Sequence, residues 1–91
     1  MANIKSAKKR IRQNIVQRLR NRGRKSKMRS EIRNFRKLVQ EGQFDEAKDL
    51  LSKVYSVIDR TARKGSIHSN TAARYKSRLA QLLRKETAAA G

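Results

Sequence analysis

Twelve of the first thirty residues are Lys or Arg: Lys5, Lys8, Lys9, Arg10, Arg12, Arg18, Arg20, Arg22, Arg24, Lys25, Lys27 and Arg29. The same stretch contains no Asp or Glu, and the first acid is Glu31. Ammonium and guanidinium groups at this density bind anions, and the guanidinium fork in particular matches the two oxygens of a phosphate. A segment charged in this way repels itself until a polyanion neutralises it. A solvated surface does not account for cations on every side of a helix with no balancing acid. The candidate anions are a nucleic-acid backbone, an acidic membrane surface and an acidic protein.

Other chemistry finds little material. The 91 residues carry a net charge of +18, no Cys and a single His. Thiolate metal sites and disulfides are therefore excluded, and His68 alone builds no zinc site. An enzyme needs acid, base or nucleophile groups that converge. The acids here read instead as capping and solubilising groups, and no catalytic or small-molecule site is expected. No glycine-rich phosphate loop of the nucleotide-binding type is present. Gly65-Ser66, just before a helix start, offers backbone amides to one phosphate. His68, in a turn, is better suited to donating a hydrogen bond to a phosphate or carbonyl than to acting as a catalytic base that lacks a partner. No cofactor is expected.

Three helices must position these groups. Proline is absent, so nothing forces a break before Gly42. Asn3 or Ser6 is expected to cap a first helix over residues 6–40, with Gly23 tolerated inside it. Its apolar residues form two stripes. Ile4, Ala7, Ile11, Ile15 and Leu19 make one; Met28, Ile32, Phe35 and Val39 make the other. At about 100° per residue the two point roughly a third of a turn apart. The rear stripe, with its Phe, reads as core. The front stripe is flanked by cations and is expected to project beyond the core, poorly ordered until an anion neutralises it.

After a turn at Gly42-Gln43, residues 44–64 form the most amphipathic helix. Phe44, Ala47, Leu50, Leu51, Val54, Tyr55, Val57, Ile58 and Ala62 share one face. Asp45, Glu46 and Asp49 lie opposite, in the first turns, where the helix dipole favours negative charge. This acid-bearing helix is the strut. Gly65 ends it. Ser69 or Asn70 is expected to cap a third helix over residues 69–86, with Ala72, Tyr75, Leu79, Leu82 and Leu83 inward, followed by a fraying tail at 87–91. The expectation is all-α: one domain spanning residues 1–91, an antiparallel three-helix bundle with an extended N-terminal helix projecting beyond it.

This frame selects among the anions. The front stripe is narrow, aliphatic and breached by cations, unlike the broad face of a membrane-surface helix. Apolar runs are too short for a membrane span or a secretory signal, so the cytoplasm is the expected compartment. Nucleic acid remains. With no zipper and no evident recognition helix, duplex-DNA reading is less favoured. Folded RNA presents several phosphate strands to one protein and is recognised by shape. A nucleoid or histone-like DNA binder is the alternative.

At the third helix, Lys64-Gly65-Ser66-Ile67-His68-Ser69-Asn70-Thr71-Ala72-Ala73-Arg74-Tyr75-Lys76-Ser77-Arg78-Leu79 resembles the signature of the bacterial S20 family of small-subunit ribosomal proteins. The opening Ala2-Asn3-Ile4-Lys5-Ser6-Ala7-Lys8-Lys9-Arg10 is similar to that family's N-terminus, so the resemblance covers nearly the whole chain. It departs at Ser69 and Tyr75, where the family commonly carries Lys. The resemblance implies a three-helix bundle that binds 16S ribosomal RNA directly and early in assembly. It also implies a monomer within the small ribosomal subunit, joining RNA of the 5′ domain to the long penultimate helix near the 3′ end. Carried over by residue, it places Lys5, Lys8, Lys9, Arg10, Arg12, His68, Asn70, Arg74, Lys76 and Arg78 against RNA, with Asn3 and Ser6 as polar contacts. The charge map adds Arg18, Arg20, Arg22, Arg24, Lys25, Arg29 and Lys64. The expected mechanism is an electrostatic clamp, in which cations on several sides of one helix neutralise RNA strands that would otherwise repel each other.

Overall fold

The computed structural model describes residues 2–90, with side chains from residue 6 onward. Three helices follow one another: α1 (Ala2–Gln40), α2 (Phe44–Arg63) and α3 (Ser69–Ala90). No strand occurs among the described residues. The molecule is long and thin, 70 × 21 × 14 Å. α2 runs back along the rear of α1, and α3 returns beside α2, with only light contact between α1 and α3.

Two tight connections set this order. Gly42 and Gly65 have φ of +78° and +79°, a left-handed conformation that glycine adopts without steric penalty. At each, the chain closes a Schellman motif. The Gly42 amide donates to the Val39 carbonyl at 3.1 Å and the Gln43 amide to the Leu38 carbonyl at 2.9 Å. The second turn repeats the pattern, Gly65 to Ala62 at 2.9 Å and Ser66 to Thr61 at 3.0 Å. These bonds satisfy carbonyls that a helix end leaves orphaned. They also use the amides of Gly65 and Ser66, so those groups do not hold a phosphate as the sequence suggested.

The core lies between the rear of α1 and the inner face of α2, sealed by α3. Met28, Ile32, Phe35 and Val39 of α1 are buried against Ala47, Val54 and Ile58 of α2 and Ala72 and Leu79 of α3. The rear stripe is therefore core, as its Phe indicated. The front stripe is not: Ile11, Ile15 and Leu19 are 57%, 49% and 60% exposed. The polar groups within the core are satisfied. Buried Thr61 donates its hydroxyl to the Val57 carbonyl at 2.7 Å, and no buried side-chain polar atom lacks a partner among the described residues.

Polar contacts tie both outer helices to the strut. Lys53 of α2 faces Glu31 of α1 at 3.9 Å, and Lys76 of α3 meets Asp59 of α2 at 3.1 Å. The Tyr55 hydroxyl donates to the Lys76 carbonyl at 3.1 Å. Both ion pairs are partly solvated and set register more than stability.

Helix boundaries differ from expectation at three places. α1 begins at Ala2, so Asn3 and Ser6 lie within the helix rather than capping it. α2 ends at Arg63, with Lys64 as its C-cap. α3 runs to Ala90, four residues past the expected end at Glu86, because alanine is the strongest helix former and nothing in Thr87-Ala88-Ala89-Ala90 stops propagation. The Thr87 hydroxyl turns back to the Leu83 carbonyl at 2.6 Å. Of the expected tail, Gly91 lies outside the described residues.

α1 passes through Gly23 without interruption, and a Cβ there would meet nothing within 4 Å. Gly23→Ala is accordingly expected to stabilise the protein by about 0.5–1 kcal/mol, the usual helix-interior difference. A thermal denaturation curve reads this directly. A lowered midpoint would mean that the glycine serves a bend the helix requires.

Candidate nucleic-acid interface

The front half of α1 has no partner element. From Ser6 to Arg20 every residue is exposed. At 1.5 Å per residue, the 19 residues from Ala2 to Arg20 extend roughly 28 Å. Lys8, Lys9, Arg10, Arg12, Arg18 and Arg20 lie on this free rod, and their directions around the axis cover most of a turn. The side chains of Asn3 and Lys5 lie outside the described residues. Where the rod meets the bundle, Arg22 and Arg29 remain exposed, while Arg24 and Lys25 are partly buried.

The junction is held by one contact between distant segments. Ser66, buried in the α2–α3 turn, donates its hydroxyl to Asn21 Oδ1 at 2.9 Å, and Arg24 Nη1 donates to the same oxygen at 3.3 Å. The turn is thereby pinned to the base of the rod. The Ser66 side chain thus acts as an anchor for α1.

His68 has a role that residue statistics hid. Its Nδ1 accepts the Asn70 amide at 3.0 Å, and its carbonyl accepts the Ala72 amide at 3.1 Å. His68 is thus the N-cap of α3, in place of Ser69 or Asn70. With Nδ1 engaged as an acceptor, the neutral imidazole carries its proton on Nε2. His68 is exposed, so that N–H is available as a donor; Asn70 and Lys64 of the same turn region are exposed as well.

On α3, Arg74 and Arg78 are exposed. Both line a shallow cleft with Thr71 and Tyr75. Lys76 is placed differently. Its Nζ lies 3.1 and 3.3 Å from the two Asp59 oxygens and 5.3 Å from the centre of the Tyr55 ring. Its charge is directed at α2, away from the cleft that holds Arg74 and Arg78.

The structure adds two residues to those read from the sequence. Arg33 and Arg36 join Arg29, Ile32 and Tyr75 around an open groove of about 280 Å³ between α1 and α3. The signal was present: Arg29, Arg33 and Arg36 recur at helical spacing. The sequence reading of the rear half of α1 follows its apolar stripe alone and leaves these cations out. Α-helix geometry leaves half of it facing out. Among the described residues, no group of three or more His, Cys, Asp or Glu is placed to hold a metal ion.

The arrangement is a cationic surface in two parts, a free rod with cations around its axis and a cationic groove along the bundle. The acids Asp45, Glu46 and Asp49 are exposed on α2, away from the exposed cations of the rod.

Residues 2–84 match the family model described as ribosomal protein S20. The small ribosomal subunit protein bS20 of Aquifex aeolicus is 49% identical over 85 residues, covering 93% of this chain and 90% of the relative. That of Dictyoglomus thermophilum is 47% identical over 89 residues, covering 98% and 96%. That of Mycolicibacterium smegmatis is 51% identical over 85 residues, covering 93% and 99%. With a family model spanning nearly all of its length and relatives close to half identical from end to end, the chain belongs to the ribosomal protein S20 family.

Proposed function

We propose that the protein is a structural constituent of the small ribosomal subunit that binds 16S ribosomal RNA directly and stabilises its fold by neutralising phosphates of adjacent RNA helices. As a member of a ribosomal protein family, it is a structural component and not an enzyme. The observation that carries the RNA-binding reading is the front half of α1: cations around its axis, no acid, and no protein surface against it. A helix charged on one face serves one strand, whereas a rod charged around its axis serves strands that converge on it from several directions. Folded RNA supplies such an arrangement.

The contacting residues in this proposal are Lys8, Lys9, Arg10, Arg12, Arg18, Arg20, Arg22, Arg24, Lys25 and Arg29 on α1, with Lys5, Asn3 and Ser6 at its start. Lys64, His68, Asn70, Arg74 and Arg78 form the second surface, joined by Arg33 and Arg36. The family resemblance supports the 5′ domain and the long penultimate helix as the two RNA regions joined, with one copy per subunit in the cytoplasm. No helix among the described residues is long and apolar enough to cross a membrane.

The test is sedimentation of the protein with small ribosomal subunits through a high-salt gradient, followed by competition between 16S RNA and duplex DNA. Retention on the subunit and preference for the RNA support the proposal. Release from the subunit together with preference for duplex DNA would favour a nucleoid-type binder instead.

A further inference from the structure

Between Lys5 and Arg33 there are four amide side chains, Gln13, Asn14, Gln17 and Asn21. At 100° per residue they fall within an arc of roughly 100°, and no other amide interrupts the rest of the circumference. That arc points in the same direction as Met28, Ile32, Phe35 and Val39, the face that the rear of α1 buries in the core. Beyond the bundle, the core face therefore continues as a stripe in which these amides stand beside Arg10 and Arg24. The exposed Ile11, Ile15 and Leu19 lie on a different side.

This stripe forms one wall of a concavity of about 590 Å³, open to solvent. Asn14, Gln17 and Asn21 lie along it, with Arg18, Arg22 and Lys25 beside them. Its inner end is built. Asn21 Oδ1 accepts from both Ser66 and Arg24, which fixes the orientation of the amide and leaves its nitrogen as the available donor.

We propose that this concavity is where the protein distinguishes RNA from DNA, with the amides of Asn14 and Gln17 hydrogen-bonding ribose 2′-hydroxyls of a strand whose phosphates are held by the neighbouring cations. The inference rests on the RNA-binding reading above and deepens it. A cation recognises a phosphate in either nucleic acid and carries no information about the sugar. A 2′-hydroxyl both donates and accepts, and it lines the wide, shallow minor groove of an A-form helix. An amide also both donates and accepts. The four amides of this segment cluster on this one face, beside cations able to hold the phosphates of the same strand. Asn14 and Gln17 offer this face a donor and an acceptor matched to the sugar, which a cation does not.

The experiment compares the full-length protein with a N14A/Q17A variant on two probes, a transcript of 16S ribosomal RNA and a linear DNA duplex of equal length, across a salt series. A K9A/R12A variant is the charge control. Asn14 and Gln17 are exposed and alanine is the better helix former, so circular dichroism should show unchanged helix content. The amide variant is expected to lose roughly ten- to a hundredfold in RNA affinity, the range for two net hydrogen bonds. Its DNA affinity and its salt slope stay unchanged. The charge control weakens on both probes and shows a shallower slope. An amide variant whose preference for RNA over DNA is unaltered overturns the inference and leaves the RNA-binding reading standing. A wild-type protein with no preference between the probes overturns that reading first.

Discussion

Phe35→Ala is expected to destabilise the protein by about 3–5 kcal/mol, enough to leave much of it unfolded near body temperature. Phe35 is fully buried, on the face of α1 that meets both Val54 and Ile58 of α2 and the α3 seal. The large penalty follows from how little else there is. The chain has four aromatic residues, and Phe35 is the largest fully buried side chain of a core otherwise made of Met, Leu, Ile, Val and Ala. The residual cavity adds to the lost transfer energy. Urea denaturation of the free protein measures this. Ile15→Ala is the matched control, since Ile15 is half exposed beyond the bundle and its truncation should change stability by less than about 0.5 kcal/mol. Equal losses at the two positions would contradict the division of α1 into a buried rear and a free front.

The second large effect is on binding. If six to ten of the cations on α1 and along the α1–α3 groove each neutralise a phosphate, affinity for 16S RNA should fall by about a thousandfold to a hundred-thousandfold between 50 and 200 mM salt. The slope of log affinity against log salt should be about −0.7 to −0.9 per phosphate. Arg10→Ala should reduce that slope by about one phosphate contact and leave the denaturation midpoint in place, because Arg10 is exposed and touches no core residue. Filter binding over a salt series reads both. A flat response would rule out electrostatic clamping as the source of affinity.

Much of this division could be read from residue spacing. The two apolar stripes of α1 differ in phase, and only the rear one carries an aromatic, so the buried set Met28, Ile32, Phe35 and Val39 followed directly. The two glycine stops were legible because a left-handed residue after an amphipathic run has few alternatives to glycine. What escaped were features that depend on tertiary neighbours. Ser66 looked like an amide donor to phosphate, but its amide closes the α2 cap and its hydroxyl reaches Asn21, forty-five residues away in sequence. Lys76 was legible as a cation of α3, but not the Asp59 carboxylate and the Tyr55 ring that α2 places beside it. His68 is not among the usual capping residues, and only the folded turn brings its Nδ1 to the Asn70 amide. The end of α3 was set four residues early because the tail lacks apolar anchors, although its alanines need none to propagate a helix.

The continuity of α1 through Gly23 has a kinetic meaning as well as a geometric one. Starting a helix is the unfavourable step, with a nucleation constant of about 0.001, whereas adding a residue to an existing one is close to neutral. The rear of α1, locked into the core, is a permanent nucleus. The front half never has to start a helix; it only has to extend one, turn by turn, outward from the bundle. Fraying is then graded, deepest at Ala2 and shallowest near Asn21, and each phosphate that docks lowers the repulsion opposing the next turn. In the proposed RNA-binding role, such a rod would extend along its RNA by propagation from the bundle, without a new nucleation step.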